Sequence, residues 1–225
     1  MKRIVKITAM SIVMASMSMS MSAKNYEVSQ DEMLSRFLSY VKINSQSIDN
    51  NNPDVFPMTA GQKEMAQFLA DEAKALGGDV YMCPNYYVYV EIPSNVKDEV
   101  PTLGISCHYD VTPEAVSGNI KASVIKYEGG DINQGGGSVI SPNSDLGQYL
   151  KNHVGKTIIH SDGTTLLGGD DKNGCAIAMS VIESLVKGGK KVKHGKVQIV
   201  FCPNEDIGRS AEKIDQFYEP RNLTL

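Results

Sequence analysis

The sequence lacks several features that would assign it to other classes of protein. Its four cysteines occur without Cys-x-x-Cys spacing, so we expect buried thiols rather than a disulfide framework or a cysteine zinc cage. Its formal net charge of −4 leaves no excess of basic residues for binding nucleic acid or an anionic membrane surface. We therefore expect neither a nucleic-acid partner nor a membrane partner.

The chain also has no apolar run long enough for a stable membrane span, because its N-terminal apolar stretch is short and rich in serine. Residues 1–23 instead place three basic residues before the apolar stretch and small residues after it, which is the pattern of a secretory signal peptide. The alternative is a mis-assigned start, with Met21 as the true beginning. The protein is exported or periplasmic if the leader is real, and cytoplasmic under the alternative.

The rest of the chain, residues 24–225, has the composition of an ordinary globular protein, with 41% hydrophobic and 21% charged residues. Helices are predicted after Ser29 and after Thr59, which stand in capping-box spacing with Glu32 and Gln62. Apolar strands are predicted at TLGISC, KTIIH and KVQIVFC. The alternation predicts an α/β fold, with a mainly parallel sheet and helices on both faces.

Residues suited to binding a metal follow three of these strands. His108 and Asp110 come at the end of TLGISC, two positions apart, and therefore project from the same side of an extended chain. Asp170 lies in the glycine-rich loop after KTIIH, and Glu205 and Asp206 follow KVQIVFC. An imidazole can bind zinc while a nearby carboxylate fixes its tautomer, and a second carboxylate can act as a general base. Because sites in α/β sheets form at the carboxyl ends of strands, the three motifs together indicate one metal site.

Each motif also has a simpler explanation, and an isolated His-x-Asp such as His108 and Asp110 usually has no functional role. An Asp-Asp pair at a helix start can be an N-cap beside a solvated charge, and a Glu-Asp pair in a loop can be solvated. The glycine-rich loop lacks the Gly-Lys-Ser/Thr ending of a phosphate-binding loop, which argues against a nucleotide site.

Four ordered motifs carry a resemblance to a known family. HYDVTPE, YEGGDI, SDGTTLLGGDDKNG and FCPNEDIG resemble the peptidase T family, which is the tripeptide aminopeptidase branch of the M20 zinc peptidases. The resemblance implies hydrolysis that releases the N-terminal residue of short peptides, with two zinc ions as cofactors. It covers nearly all of the chain after the leader.

The resemblance also implies roles for individual residues. His108 would bind zinc and Asp110 would orient its ring, while Asp170 would bridge the two metal ions. Glu205 would be the general base and Asp206 a zinc ligand, although the commoner pattern in the family has Glu-Glu at this pair. The metal ligands are then His108, Asp170 and Asp206, and the catalytic residues are Asp110 and Glu205.

The same resemblance implies that residues 24–225 are the N-terminal portion of an M20-type catalytic domain. The lid domain, which also dimerises, and the C-terminal catalytic part would be absent, so three of five protein ligands would be supplied. Asp171 is expected to cap a helix or to contact the metal ligands without binding the metal itself. The alternative to a tripeptide aminopeptidase is a truncated, inactive remnant that hydrolyses nothing.

Overall fold

The computed structural model describes residues 28–50, 52, 54–56 and 58–214. This part of the chain contains the helices α1 Gln30–Val41, α2 Ala60–Leu76 and α3 Gly169–Gly188. The strands are β1 Asp79–Met82, β2 Val88–Ile92, β3 Leu103–His108, β4 Ala122–Lys126, β5 Ile132–Asn133, β6 Val139–Ile140, β7 Thr157–Ser161 and β8 Val197–Cys202. Two short 3₁₀ helices span Gln148–His153 and Gly189–Lys191. The predicted leader, residues 1–23, lies outside the described residues, and none of the helices just named has the length and apolar character needed to cross a bilayer.

The two predicted capping boxes have different outcomes. At α1 the box is complete, since the Glu32 backbone N–H donates to Ser29 Oγ at 3.1 Å and Ser29 N–H donates to Glu32 Oε2 at 2.9 Å. At α2 only half of it forms: the Gln62 N–H donates to Thr59 Oγ1 at 3.2 Å, but the Gln62 side chain turns to Asn204. The sequence reading of Gln62 as a reciprocal cap was therefore wrong.

The main sheet has four strands in the order β1-β2-β8-β3. Only β3 and β8 run parallel, while β1 with β2 and β2 with β8 are antiparallel. The prediction of a mainly parallel sheet is therefore wrong. The physical reason is the tight turn after β1, where Cys83 N–H donates to the Tyr87 carbonyl at 3.0 Å; a turn this short can join only antiparallel strands.

The strand KTIIH does not join this sheet either. It forms β7, which pairs antiparallel with β4 in a separate two-stranded sheet, from Ala122 opposite Ser161 to Lys126 opposite Thr157. The sequence pattern predicts no strand at β4, the partner that satisfies the backbone of β7. The expectation that TLGISC, KTIIH and KVQIVFC share one sheet holds only for the first and last.

The two faces of the main sheet pack against different parts of the chain. Val88, Val90 and Phe201 point into a core that they share with α1, α2 and α3. The side chains that alternate with these along the strands point to the opposite face and form a second cluster there. It consists of Cys83, Tyr87, Tyr89 and Cys202, packed with Phe56, Val200 and Ile214. Among the described residues the helices therefore lie on one face, and loop segments cover the other. The predicted placement of helices on both faces was wrong in this respect.

The parallel pairing of β3 with β8 is what assembles the site. It sets His108 directly opposite Cys202, so both strands end at the same edge of the sheet. α3 packs against β3 and β2, which brings its N-terminal loop to that edge. The ends of three elements that are distant in sequence thus meet.

Candidate metal centre

His108 is the last residue of β3, and its ring lies between two groups of carboxylates. Nε2 is 3.1 Å from Asp170 Oδ1 and 3.7 Å from Glu205 Oε2. On the other edge of the ring, Nδ1 is 3.4 Å from Asp110 Oδ1 and makes no hydrogen bond within the described residues. The side chain is only 11% exposed, so its Nε2 edge is held towards the acidic residues.

Asp110 is fully buried and holds the loop that carries the other two acids. Its Oδ1 accepts the backbone N–H of Glu205 at 2.9 Å, and its Oδ2 accepts that of Asp206 at 3.1 Å. A carboxylate with both oxygens engaged in this way is fixed in position. It therefore links the end of β3 to the turn after β8.

The Asp170-Asp171 pair at the start of α3 divides into two environments. The Asp170 side chain is 93% exposed and reaches His108 with one oxygen. Asp171 is partly buried, accepts the Gly174 N–H at 3.1 Å, and lies 3.4 Å from the His108 N–H. Neither residue has helical backbone angles, so the regular helix starts after them and Asp171 caps it, as the sequence analysis expected. Gly174 is required here, because a Cβ at this position would lie 2.2 Å from Asp171 Oδ1.

The electrostatics of the cluster are those of a site with excess negative charge. Burial alone would lower the pKa of His108, but the carboxylates of Asp110, Asp171 and Glu205 outweigh it and raise the pKa to about 9. Desolvation first, and then neighbouring carboxylates, raise the pKa of Asp206 to about 6, against the attraction of His108. A bound cation would relieve this repulsion.

The arrangement can be compared with the predicted ligand set of His108, Asp170 and Asp206. Asp170 lies beside Nε2 of His108, as given above. Among the described residues, ligand atoms of His108, Asp110 and Asp206 all lie within 4.8 Å of one another, so this potential metal-binding group contains Asp110 and not Asp170. The two oxygens of Asp110 also accept backbone N–H groups, as given above.

Sequence reading missed three other residues around the centre. Lys172 is fully buried, and its Nζ donates to the Ile43 carbonyl at 2.5 Å, which ties the chain after α1 to the start of α3. Burial lowers the pKa of Lys172 to about 8. Gln62 and Asn204 form a buried pair next to Glu205. Lys172 and Asn204 lie within the motifs SDGTTLLGGDDKNG and FCPNEDIG, whereas the spacing of Gln62 from Thr59 indicates a different use of its side chain.

No family model matches the sequence. The sequence is nevertheless similar to curated proteins named peptidase T. Peptidase T of Geobacillus kaustophilus is 41% identical over 190 residues, and peptidase T of Shouchella clausii is 40% identical over 187 residues. Each alignment covers 83% of this chain and 45% of the relative, so the chain spans about half the length of the curated relatives that it matches.

Solved structures show the same fold. The aminopeptidase PepT from Bacillus cereus matches with a TM-score of 0.57 and 22% identity, over 84% of this chain and 40% of that one. A tripeptidase from Staphylococcus aureus matches with a TM-score of 0.55 and 23% identity, over 85% of this chain and 41% of that one. The chain is thus similar to the N-terminal part of peptidase T proteins, as its motifs predicted.

Proposed function

We propose that this chain carries the N-terminal part of a zinc-dependent aminopeptidase centre that acts on short peptides. The observation that supports this most strongly is the position of the His108 ring, with Asp110 at one edge and Asp170 and Glu205 at the other. The names of the related proteins, peptidase T, aminopeptidase and tripeptidase, favour a tripeptide as substrate and release of its N-terminal residue.

The donor set fits zinc. Imidazole nitrogen and carboxylate oxygen are both common zinc ligands, and His108 offers Nε2 on the side where the carboxylates gather. The raised pKa values of His108 and Asp206 mark a cluster that favours an added positive charge. In the proposal His108, Asp170 and Asp206 would hold the metal.

The residues then divide the chemistry between them. The chemistry that zinc supplies when bound is Lewis acidity, which polarises a peptide carbonyl and lowers the pKa of water. Asp110 fixes the backbone of the acidic turn, and its Oδ1, 3.4 Å from His108 Nδ1, would orient the ring. Glu205, whose side chain is 51% exposed, is free to take a proton from water and deliver it to the departing amine. Asp171 keeps the Asp170 loop against His108 through its contacts with the backbone.

A second candidate is a zinc-binding protein without hydrolase activity. The observation that favours it is the openness of the centre, since the Asp170 side chain is 93% exposed and that of Glu205 51%. Catalysis depends on holding the reacting groups in place and excluding water. We therefore expect tripeptide hydrolysis by the 225-residue chain alone to be weak or absent.

The experiment that separates the two candidates is tripeptide hydrolysis by the purified chain with added zinc, beside zinc binding measured by competition with a chromophoric chelator. Turnover that disappears in Glu205→Gln, while zinc binding is retained, supports the peptidase. Zinc binding lost in His108→Ala, with no turnover in any variant, supports the second candidate. A chain that binds no zinc contradicts both.

A further inference from the structure

The side chain of Gln62 makes a reciprocal pair with Asn204, 142 positions along the chain. Gln62 Nε2 donates to Asn204 Oδ1 at 2.9 Å, and Gln62 Oε1 accepts the Asn204 backbone N–H at 3.2 Å. Both residues are completely buried. A single carboxamide thus binds both the side chain and the backbone of the residue that immediately precedes the acidic pair.

Asn204 occupies an unusual backbone conformation. Its φ is 58°, in the left-handed region that asparagine tolerates better than most residues with a Cβ. This residue turns the chain sharply after β8, and the turn is closed by the Gly208 N–H on the Glu205 carbonyl at 2.7 Å and the Arg209 N–H on the Asn204 carbonyl at 2.9 Å. As a result the next two N–H groups, those of Glu205 and Asp206, point at Asp110.

The acidic turn is therefore held from two sides by side chains that come from different elements. Asp110, just after β3, fixes the N–H groups of Glu205 and Asp206, while Gln62, in the first turn of α2, fixes Asn204. Removing one partner of a buried hydrogen bond leaves the other polar group buried without a hydrogen bond, which costs free energy. Such contacts therefore determine the local geometry. The Asp110 bonds reach only the two residues after Asn204, whereas Gln62 contacts both the side chain and the backbone of Asn204 itself.

We propose that Gln62 is a positioning residue for the acidic pair: by fixing Asn204 in its left-handed conformation, it holds Glu205 and Asp206 beside His108. The effect of Gln62 on zinc binding and hydrolysis rests on the proposed function above. The effect of Gln62 on the backbone of the turn follows from the hydrogen bonds alone. The two effects can therefore be tested separately.

The first test is amide hydrogen exchange on the metal-free 225-residue chain, comparing Gln62→Met with Gln67→Met. Methionine keeps the length of the side chain without its hydrogen bonds. Gln67 lies on the same helix but is exposed, and its Nε2 donates to Asp71 in the next turn, so it controls for the change of residue type. We expect exchange at the amides of Asn204, Glu205 and Asp206 to rise about tenfold in Gln62→Met, through local opening, and not in Gln67→Met.

A general loss of packing would speed exchange in the core strands as well, so the amide of Ile199 in β8 is the internal reference. Faster exchange confined to the turn supports the proposal. Equal acceleration at Ile199 and in the turn, or no change in the turn, overturns it. Should Gln62→Met fail to fold, Asn204→Gly provides the second variant, because glycine accepts the left-handed φ while the acceptor of Gln62 Nε2 is removed. In Asn204→Gly we expect faster amide exchange at residues 204–206 and unchanged exchange at Ile199.

The second test uses zinc alone as the probe. We expect Gln62→Met to weaken zinc binding by about tenfold, as the loss of an outer contact that supports metal ligands does, while Gln67→Met matches the unmodified chain. Unchanged zinc affinity together with a loosened turn would overturn the functional part of the proposal. Absence of zinc binding in the unmodified chain would instead contradict the proposed function and leave the exchange result to decide the role of Gln62.

Discussion

Asp110 Oδ1 accepts the backbone N–H of Glu205 at 2.9 Å, although the two residues are 95 positions apart. The bond joins the end of β3 to the turn that follows β8. It places the proposed general base at a fixed distance from His108, whose Nε2 lies 3.7 Å from Glu205 Oε2. Asp110 thus contributes to the centre through the backbone of the acids as well as through the histidine ring.

Replacing Asp110 with asparagine should therefore be costly. Each oxygen of Asp110 accepts one N–H group, and an amide can offer only one oxygen, so either orientation of the new side chain sets its NH₂ against a backbone donor. We expect the free energy of unfolding to fall by about 1–3 kcal/mol, measured by urea denaturation of the metal-free chain. Asp98→Asn, at an exposed position, is the control and should be neutral. A neutral Asp110→Asn would show that the two bonds do not hold the turn.

Gly174→Ala should destabilise the protein even though alanine favours helices more than glycine does. The added methyl group would lie 2.2 Å from Asp171 Oδ1 and would push that carboxylate away from the Gly174 and His108 N–H groups. We expect a lower melting temperature and weaker zinc binding. Gly104→Ala in β3 is the matched control, since its Cβ would meet nothing within 4 Å. Equal melting temperatures for the two variants would contradict this account of Asp171.

The contribution of His108 to the stability of the metal-free chain should fall as the pH rises from about 6.5 to 9. The pKa of His108 is raised to about 9 in the folded protein from a usual value of 6.5, so the folded state binds this proton more tightly than the unfolded state does. The stabilisation is complete below pH 6.5 and is lost as the pH passes through about 9. Among the described residues, the titratable groups around the ring are the carboxylates of Asp110, Asp170, Asp171, Glu205 and Asp206.

The measurement is the melting temperature across this range in the presence of a chelator, for the unmodified chain and for His108→Gln. Lys172, whose pKa is lowered to about 8, changes stability in the opposite direction but is present in both proteins. The difference between the two curves therefore isolates His108. Parallel curves would show that the ring does not interact with its acidic neighbours as described.

The sequence predicted much of the site and less of the sheet. The ends of TLGISC and KVQIVFC do meet, because the parallel register of β3 and β8 places His108 opposite Cys202. The capping role of Asp171 followed from its place before an apolar helical stretch. These features depend on local pattern and on the rule that sites form at the carboxyl ends of strands.

Other features depend on contacts that no local pattern encodes. Gln62 has a capping-box spacing from Thr59, yet its carboxamide finds a better-buried partner in Asn204 on another element. β7 was expected in the main sheet, but it pairs with β4, whose alternation is weak because most of its residues are exposed. Strand pairing of this kind is decided by tertiary contacts rather than by the strand itself.

The central claim is that His108 and the acids around it bind zinc. It is tested most directly by diffraction from crystals of the chain soaked in zinc, with data collected at the zinc absorption edge. The account predicts an anomalous peak about 2.0–2.2 Å from His108 Nε2 and from carboxylate oxygens of Asp170 or Asp206. A map with no peak there, or with zinc bound only elsewhere on the protein, would contradict it.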